Sequence, residues 1–329
     1  MHVLVVGGAG YIGSHMVKRL ARAGCRVTTL DDLSTGHADA VVAGAFVRGD
    51  VGNCALLADL FARTPFDAVF HFASRIQVGE SVARPALYYE VNVARTLRLL
   101  KAMAEHGVRH FIFSSSAAVY GMPATAFIEE SHPKSPINPY GRTKLMIEQA
   151  LPDFAAAYGM KYACLRYFNA AGADPEGQLG ERHDPETHLI PLVLMAASGR
   201  SPEFTVYGRD YDTPDGTCVR DYVHVSDLCD AHWLALQRIV QGGESGCFNL
   251  GSGMGYSVAE IVQAATRVSG RPIRTIEGSR RAGDPGRLVA ASALARRELH
   301  WQPAYEDIEC IIEHAWRWEQ TLAMASCQG

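Results

Sequence analysis

An α/β fold built on a doubly wound parallel sheet is the class that the 329-residue sequence predicts. Short β-rich segments alternate with amphipathic helical segments through the first half, a glycine-rich turn follows the first strand, and two aspartates follow the second. Strands that alternate with helices form right-handed βαβ units, whose strands lie parallel in one sheet with helices on both faces. We therefore expect a Rossmann-type sheet, followed by a smaller mixed C-terminal lobe.

The individual elements follow from the apolar periodicity along the chain. The predicted strands are His2–Val6, Arg26–Leu30, Ala45–Val47, Ala68–Phe72, His110–Phe113 and Lys161–Leu165. The predicted helices are Ser14–Ala23, Ala55–Arg63, Ala86–Glu105, Tyr140–Tyr158, Val225–Val240, Ser257–Ser269 and Ile308–Glu319. Loops rich in Gly, Pro and Asp follow residue 170, so we expect the sheet domain at 1–170 and the smaller lobe at 171–320, with the chain crossing between them. Residues 321–329 are expected to form a disordered tail.

The composition excludes several classes of protein. The net charge of -4 leaves no basic excess with which to neutralise a nucleic-acid backbone. The eight cysteines are scattered without a Cys-x-x-Cys pair, which indicates neither a zinc site nor a disulfide framework. The N-terminus lacks the pattern of a signal peptide, and no segment has the length of a transmembrane helix. We expect a cytoplasmic protein without a bound metal, and with neither a nucleic-acid nor a membrane partner.

The first predicted loop has the features of a dinucleotide site. Gly7, Gly10 and Gly13 lie between a strand and a helix, where glycine allows a tight turn and backbone N–H groups can approach a pyrophosphate. Asp31 and Asp32 follow the second strand, where a carboxylate binds an adenosine ribose and repels a 2′-phosphate, which favours NAD over NADP. An ordinary tight turn and a pair of solvated aspartates are the alternatives.

A second group of residues has the chemistry of a proton-transfer site. Asn138 and Pro139 predict the start of a helix, which places Tyr140 and Lys144 one turn apart on the same face. A phenol titrates near pH 10, and a lysine ammonium and a helix N-terminus both favour its phenolate. Ser116, at the end of a neighbouring strand, can hydrogen-bond the reacting oxygen. Tyr-x-x-x-Lys alone occurs often by chance, and a core tyrosine beside a solvated lysine is the alternative.

Sequence blocks from residue 1 to about 319 resemble the UDP-glucose 4-epimerases of the extended short-chain dehydrogenase/reductase superfamily. These blocks are Gly7–His15, Val78–Ser81, Phe113–Ser116, Asn138–Gly141 with Lys144, Arg166–Asn169, Pro214–Thr217, Val219–Val225 and Arg280–Asp284. The later blocks are far more specific than the glycine-rich turn. The resemblance implies NAD-dependent interconversion of UDP-glucose and UDP-galactose through a 4-keto intermediate, with the lobe at 171–320 binding the UDP-sugar.

The resemblance also implies roles for single residues. Tyr140 is the base, Ser116 its hydrogen-bonding partner, and Lys144 both tunes the tyrosine and holds the nicotinamide ribose. The implied cofactor-binding residues are Gly7, Gly10, Tyr11, Ile12, Gly13, Asp31, Asp32, Asp50, Val51, Phe72, Ala73, Asn92, Ser114, Tyr140, Lys144 and Tyr167. The implied substrate-binding residues are Ser116, Tyr140, Phe168, Asn169, His188, Leu189, Tyr207, Arg220, Arg281, Asp284 and Leu288. Of these, the two arginines suit the diphosphate, because a guanidinium can bind phosphate oxygens bidentately.

Two positions depart from the family pattern. Many relatives carry a lysine where this chain has Ile76, which weakens the expected hold on the cofactor. The family's gatekeeping tyrosine falls on Leu288. Leucine is shorter, so we expect room beside the sugar C2 for an acetamido group and activity on UDP-N-acetylhexosamines as well.

Some other activities of the superfamily require different residues. A 4,6-dehydratase of the superfamily needs an Asp-Glu pair directly after the active-site hydroxyl, where this chain has Ala117 and Ala118. A UDP-pentose or UDP-uronate 4-epimerase stays open, since the chemistry is the same. A nucleotide-sensing regulator would have lost the catalytic residues, yet Ser116, Tyr140 and Lys144 are present.

A homodimer is expected through the predicted helices Ala86–Glu105 and Tyr140–Tyr158, since relatives pair through the corresponding helices. The first helix carries an apolar set that is large for contact with one sheet: Leu97, Leu99, Leu100 and Met103. The alternative is that this stripe packs on the chain's own sheet.

Overall fold

The sheets of the protein are described by a computed structural model that covers residues 1–123, 125–281 and 284–326. The strands are β1 (His2–Val6), β2 (Arg26–Asp31), β3 (Ala45–Arg48), β4 (Ala68–His71), β5 (His110–Ser116), β6 (Lys161–Tyr167), β7 (Asn169–Ala171), β8 (Phe204–Tyr207), β9 (Val219–His224), β10 (Gly246–Leu250), β11 (Gly255–Ser257), β12 (Thr275–Gly278) and β13 (Arg287–Leu288). Seven of them form a parallel sheet in the order β3-β2-β1-β4-β5-β6-β10. An order that reverses beside β1 is that of the doubly wound dinucleotide fold, so the predicted class is confirmed.

The helices lie between these strands and in the smaller lobe. They are α1 (Tyr11–Arg22), α2 (Cys54–Arg63), α3 (Val78–Ala83), α4 (Pro85–Tyr88), α5 (Arg95–Glu105), α6 (Pro139–Tyr158), α7 (Leu189–Ser198), α8 (Val225–Val240), α9 (Val258–Ser269), α10 (Ala293–Glu298) and α11 (Ile308–Ser326). Among the described residues, no helix is both long enough and apolar enough to cross a membrane.

Two helical predictions differ from the structure. The helix predicted over Ala86–Glu105 is interrupted by a π-helical segment, Tyr89–Ala94, which lets the Asn92 side chain bond to the backbone of the segment after β4. The predicted tail is wrong at its start, because α11 continues to Ser326. Neither glycine nor proline occurs between residues 320 and 326, so nothing in the sequence ends the helix there. Residues 327–329 lie outside the described range.

Both faces of the seven-stranded sheet are covered, as the alternating direction of strand side chains requires. Val3 and Val5 face a core that includes α1 and α8, whereas Leu4 and Val6 face a core that includes α2, α5 and α6. α8 and β10 come from the chain after residue 170 yet pack on this sheet. A third core, between α7, α9 and α11, belongs to the smaller lobe.

The apolar stripe expected at a dimer interface is used inside the chain. Leu99, Leu100 and Met103 are fully buried, and Leu97 packs against the same core. The stripe therefore packs on its own sheet, and the argument for a dimer drawn from it is wrong. A homodimer remains a prediction from the family resemblance alone.

Candidate active site

Tyr140 lies at the start of α6, beside the carboxyl end of β5. The Asn138 side chain accepts a 2.9 Å hydrogen bond from the Gly141 N–H, and Pro139 occupies the first helical turn, so the helix begins where its sequence predicts. A Cβ at Gly141 would lie 2.4 Å from the Ala118 carbonyl oxygen. Only glycine allows the start of α6 to approach the turn after β5 this closely.

Three predicted catalytic side chains meet at this point. The Lys144 Nζ donates a 2.8 Å hydrogen bond to the Ser114 carbonyl oxygen and lies 5.8 Å from the centre of the Tyr140 ring. Ser116, the last residue of β5, interacts with the Tyr140 side chain through its hydroxyl. All three are buried, with exposed fractions of 9% for Tyr140, 3% for Lys144 and 9% for Ser116.

Burial sets the charge of this group. It raises the pKa of Tyr140 above the ordinary value, and the interaction with Ser116 opposes that rise. It lowers the pKa of Lys144 to about 7, and the charge of Glu148 opposes that fall. In the chain alone the pKa of Tyr140 is therefore raised by burial and not lowered as predicted. Ionising the phenol near neutral pH requires a further positive charge beside it.

A buried ion pair holds α6 on the sheet one turn beyond Lys144. Arg166 on β6 donates from Nε at 2.8 Å and from Nη2 at 2.6 Å to the two carboxylate oxygens of Glu148, and Ser115 donates to the same carboxylate at 2.6 Å. The arginine and glutamate side chains are 2% and 4% exposed. This pair fixes the face of α6 that carries Tyr140. The pair has no signal in the sequence, because residues 18 positions apart on a helix and a strand show no periodic pattern.

The glycine-rich turn packs against the segment that follows β4. Gly7 has φ +83°, and a Cβ there would lie 2.4 Å from the backbone nitrogen of Ala73. The turn thus requires glycine. It borders Phe72 and Ala73, which are predicted to bind the same cofactor. At the start of α1, Tyr11 donates a 2.7 Å hydrogen bond from its hydroxyl to the Gly172 carbonyl oxygen, which ties the turn to the smaller lobe. Ile12 packs against the core that lies beneath α1.

The start of α1 fits a dinucleotide pyrophosphate. Gly10 is the N-cap, the helix has no side-chain cap, and its first turn contains no acidic residue. The first N–H groups of the helix, those of Tyr11, Ile12 and Gly13, have no carbonyl partner within it and can bind an anion that the helix dipole attracts. The Ser74 hydroxyl, next to Ala73, is buried without a hydrogen-bond partner among the described residues. A buried polar group of this kind fits a ligand that supplies its partner.

Asp31 supports the glycine-rich turn directly. Its carboxylate accepts 2.9 Å hydrogen bonds from the backbone N–H of Ala9 and of Leu33. Burial raises the pKa of Asp31, and these two bonds oppose the rise. The residue therefore shapes the turn as well as facing the position expected for the ribose.

Arg95 joins two predicted cofactor residues that are far apart in sequence. Its Nη1 lies 2.8 Å from an Asp50 oxygen and 3.9 Å from an Asp32 oxygen. Val51, next to Asp50, is buried in the core with 8% of its surface exposed. Arg95 was missed because a lone arginine on a helix reads as a solvated charge. It balances the two carboxylates at the expected adenosine end.

Three further predicted cofactor residues have partners within the chain. Both N–H groups of the Asn92 side-chain amide are used, one by the Arg75 carbonyl oxygen at 3.0 Å and one by the Thr143 hydroxyl at 3.1 Å. Asn92 thus fastens the segment after β4 to α6. The Ser114 hydroxyl bonds to the Tyr167 hydroxyl, across the neighbouring strands β5 and β6.

Three of the residues expected to bind the substrate, Asn169, Arg220 and Asp284, lie on β7, on β9 and before β13. The Asn169 amide donates a 2.8 Å hydrogen bond to the Asp221 carbonyl oxygen. Arg220 donates from Nη1 to the Val219 carbonyl oxygen at 2.8 Å and from Nη2 to Asp284. Asp284 therefore orients the arginine that is expected to bind the diphosphate.

The second expected diphosphate ligand, Arg281, lies with its guanidinium carbon 4.3 Å from the centre of the Tyr207 ring. Residues 282 and 283 of the same block lie outside the described range. His188 is the N-cap of α7, and Leu189 is its first residue. The structure thus brings Arg281 next to the Tyr207 ring, and it places His188 and Leu189 at the start of α7.

Leu288 lies between the two halves of the site. It pairs with Arg220 in the register of β13 and β9. It also packs with Phe168 against a small apolar cluster that includes Ala117, the residue after Ser116. The leucine that replaces the family's tyrosine therefore lies next to Arg220, the expected diphosphate ligand, and next to the end of β5.

Comparison with known proteins decides the family. Residues 3–251 match the profile of the NAD dependent epimerase/dehydratase family. The chain belongs to this family. Its similarity to individual members extends over nearly the whole length: the UDP-glucose 4-epimerase of Halalkalibacterium halodurans is 49% identical over 320 residues, which are 97% of this chain and 96% of that protein.

Solved structures of epimerase/dehydratase family members match the fold described above. A crystal structure of UDP-glucose 4-epimerase from Brucella ovis in complex with NAD has a TM-score of 0.94 and 51% identity, covering 96% of this chain and 97% of that one. The UDP-glucose 4-epimerase from Bifidobacterium longum, in complex with NAD+ and UDP, has a TM-score of 0.92 and 39% identity, covering 98% of each chain.

Proposed function

We propose that this chain interconverts UDP-glucose and UDP-galactose with NAD as its cofactor. The observation that carries the proposal is the buried group of Tyr140, Lys144 and Ser116. The start of α1, which has no side-chain cap, and the packing of Leu288 against the apolar cluster that includes Ala117 support the proposal. Relatives that are about half identical over the whole length, and are UDP-glucose 4-epimerases, support the same activity.

The site residues have three roles: they transfer the proton, orient the reacting oxygen and bind the diphosphate. A bound NAD⁺, which the glycine-rich turn before α1 and Lys144 would hold, would supply reversible hydride transfer at C4 of the sugar. Tyr140 removes the proton of the 4-hydroxyl as the C4–H bond breaks, and returns it to the oxygen after the ketone has turned over in the pocket. The Ser116 hydroxyl orients that oxygen. Arg220 and Arg281 bind the diphosphate, which anchors the sugar nucleotide while its sugar turns.

The residues after Ser116 argue against a dehydratase. Expelling the C6 hydroxyl needs an acid and a base, and Ala117 and Ala118 cannot transfer protons. Ala117 is also part of an apolar cluster. The UDP-pentose and UDP-uronate alternatives share the chemistry of C4, but the names of the similar proteins do not favour them.

The cofactor is expected to stay bound through the reaction, since it ends each cycle as it began. Ile76 is 37% exposed and takes the place of a family lysine, so the hold on the cofactor is weaker at this one position. The seven described cysteines are unpaired, which suits a protein of the reducing cytoplasm.

Two assays on the purified full-length protein test the proposal. The first follows conversion of UDP-galactose to UDP-glucose without added cofactor. The second measures NAD(H) released on denaturation. Conversion with released cofactor is the expected result. Absence of conversion even with excess NAD⁺ would refute the activity, whereas conversion only with excess NAD⁺ would refute retention alone.

A further inference from the structure

Two histidines and two glutamates converge in the loop before α7. Glu181, His183, Glu186 and His188 each offer one nitrogen or oxygen atom, and these atoms all lie within 4.8 Å of one another. The proposed reaction uses none of the four for proton transfer. Cysteine spacing gave no sign of a metal site, because this set contains no cysteine.

Both histidines turn Nδ1 toward the same two oxygens. His188 Nδ1 lies 2.5 Å from Glu181 Oε1 and 3.5 Å from Glu186 Oε1. His183 Nδ1 lies 2.9 Å and 3.8 Å from the same two atoms. In a tetrahedral zinc site with bonds of about 2.0–2.1 Å, neighbouring ligand atoms are roughly 3.3 Å apart. The four separations fall on both sides of that value, so small side-chain adjustments produce the geometry.

The two buried carboxylates of the cluster require positive charge beside them. The carboxylates of Glu181 and Glu186 are buried, with side chains 5% and 7% exposed. Within the described residues, their ion pairs are with His183 and His188. If both imidazoles were neutral, two adjacent buried negative charges would stand uncompensated, which is costly. Either two imidazolium ions or one divalent cation balances them.

His183 favours the divalent cation. Its Nδ1 is buried and lies near two carboxylate oxygens. An N–H there nevertheless forms no hydrogen bond of good geometry with any described group. Both carboxylates attract a proton on that nitrogen, but its N–H is aimed at neither oxygen. A lone pair there can instead bind an ion that the other three atoms also face. Oε1 of Glu186 also accepts hydrogen bonds from the backbone N–H groups of Thr187 and His188, at 2.7 Å and 2.9 Å, which hold the carboxylate in place.

We propose that Glu181, His183, Glu186 and His188 bind one zinc ion. Imidazole nitrogens combined with carboxylate oxygens in a four-atom set suit zinc, whereas magnesium and calcium favour larger sets of oxygen ligands. The ion stabilises the joint between the cofactor turn and the smaller lobe. His183 meets the Tyr11 ring edge-on, with the ring centres 6.3 Å apart, and His188 begins the helix that carries Leu189.

Zinc content of the full-length protein, prepared without a histidine tag or chelator, tests the site. Elemental analysis after dialysis is expected to find about one zinc ion per chain, as a four-ligand site holds one ion. His183→Gln and Glu186→Gln are expected to lose it. The matched control is Cys247→Ser, since Glu148, Cys164 and Cys247 form the other described group of metal-ligand type. There the carboxylate is already bound by Arg166, so the control keeps its zinc.

A second measurement separates metal loss from loss of the fold. Wild-type protein is stripped of metal and titrated with cobalt, for which a tetrahedral site gives strong visible absorption and a surface site only weak absorption. Cobalt added to stripped wild type is expected to give strong absorption, and stripping is expected to lower the thermal unfolding midpoint of wild type. Neither effect is expected for His183→Gln. Weak absorption, no uptake of zinc or cobalt, or unchanged zinc content in both ligand variants overturns the proposal. Each of these results is independent of epimerase activity.

Discussion

Lys144 is anchored to Ser114 by a 2.8 Å hydrogen bond from its Nζ to the backbone carbonyl oxygen. The same Ser114 bonds through its hydroxyl to Tyr167, so lysine, serine and tyrosine form one connected group at the carboxyl ends of β5 and β6. The lysine is thereby held one turn from Tyr140 rather than pointing to solvent. We propose that it binds the cofactor ribose and sets the electrostatic field at the phenol.

Replacing this lysine is expected to affect both cofactor and turnover. Lys144→Met keeps the length of the buried side chain but removes its N–H donors and charge. We expect kcat for UDP-galactose to fall by roughly 10²-fold or more, and less NAD(H) to copurify. Lys101→Met, on the exposed side of α5, is the control and should change neither value. Wild-type turnover and cofactor content in Lys144→Met would contradict the assignment.

The ionisation of Tyr140 gives a prediction about pH. Burial raises the pKa of this phenol, so in cofactor-free protein it keeps its proton to a higher pH than an ordinary tyrosine. Bound NAD⁺ places positive charge beside it and should lower that pKa. The ultraviolet difference spectrum of phenolate, taken between wild type and Tyr140→Phe with and without NAD⁺, measures both states. A tyrosine pKa that does not fall on addition of NAD⁺ argues against this tuning.

The Glu148–Arg166 pair gives a prediction about stability. Glu148→Gln leaves a buried guanidinium without its counter-charge, which typically costs about 3–5 kcal/mol. Glu309→Gln breaks the exposed pair with Arg267 and should cost at most about 1 kcal/mol. Denaturant unfolding of the two variants without cofactor provides the comparison. Equal destabilisation would show that the buried pair does not hold α6 on the sheet.

Leu288 gives a prediction about substrate range. It pairs with Arg220 and packs with Phe168 against an apolar cluster, so it is either a core residue at a strand end or, as we expect, the residue whose shorter side chain leaves room near the sugar. We expect wild type to convert UDP-N-acetylgalactosamine as well as UDP-galactose. Leu288→Tyr should lower kcat/KM for the acetylated sugar by roughly 10-fold or more, since pocket size contributes about 1–3 kcal/mol. Turnover of UDP-galactose by the same variant is the control. If wild type does not convert the acetylated sugar, or if Leu288→Tyr leaves that conversion unchanged, residue 288 does not control the space beside the sugar C2.

The sheet could be predicted from sequence better than its edges and interruptions. β1 is found at its predicted bounds, whereas β5 runs on to Ser116, because its polar serines pair in register with Leu165–Tyr167. Polar residues at the end of a strand look like a loop until the neighbouring strand is known. The π-helical segment Tyr89–Ala94 likewise depends on a tertiary contact, the bonds of Asn92 to the backbone of Arg75.

In the candidate site, local motifs were predictable and long-range partners were not. Asn138 and Pro139 define the start of α6 from neighbouring residues alone, so Tyr140 and Lys144 lie where the spacing indicates. The bonds from Arg95 to Asp50 and from Arg166 to Glu148 join elements that meet only in the folded sheet. Neither pair has a periodic or motif signal, which is why the sequence showed the reacting side chains but not what holds them.

The central claim is that Tyr140 moves the proton while the hydrogen at C4 leaves and returns to the sugar within one active site. UDP-galactose that carries deuterium at C4, converted in ordinary water by wild type, Ser116→Ala and Tyr140→Phe, tests it most directly. We expect deuterium to remain at C4 of the UDP-glucose formed, with Tyr140→Phe slower by roughly 10²–10⁴-fold and Ser116→Ala less affected. Loss of the deuterium to water, or a Tyr140→Phe enzyme that works near the wild-type rate, would contradict the account.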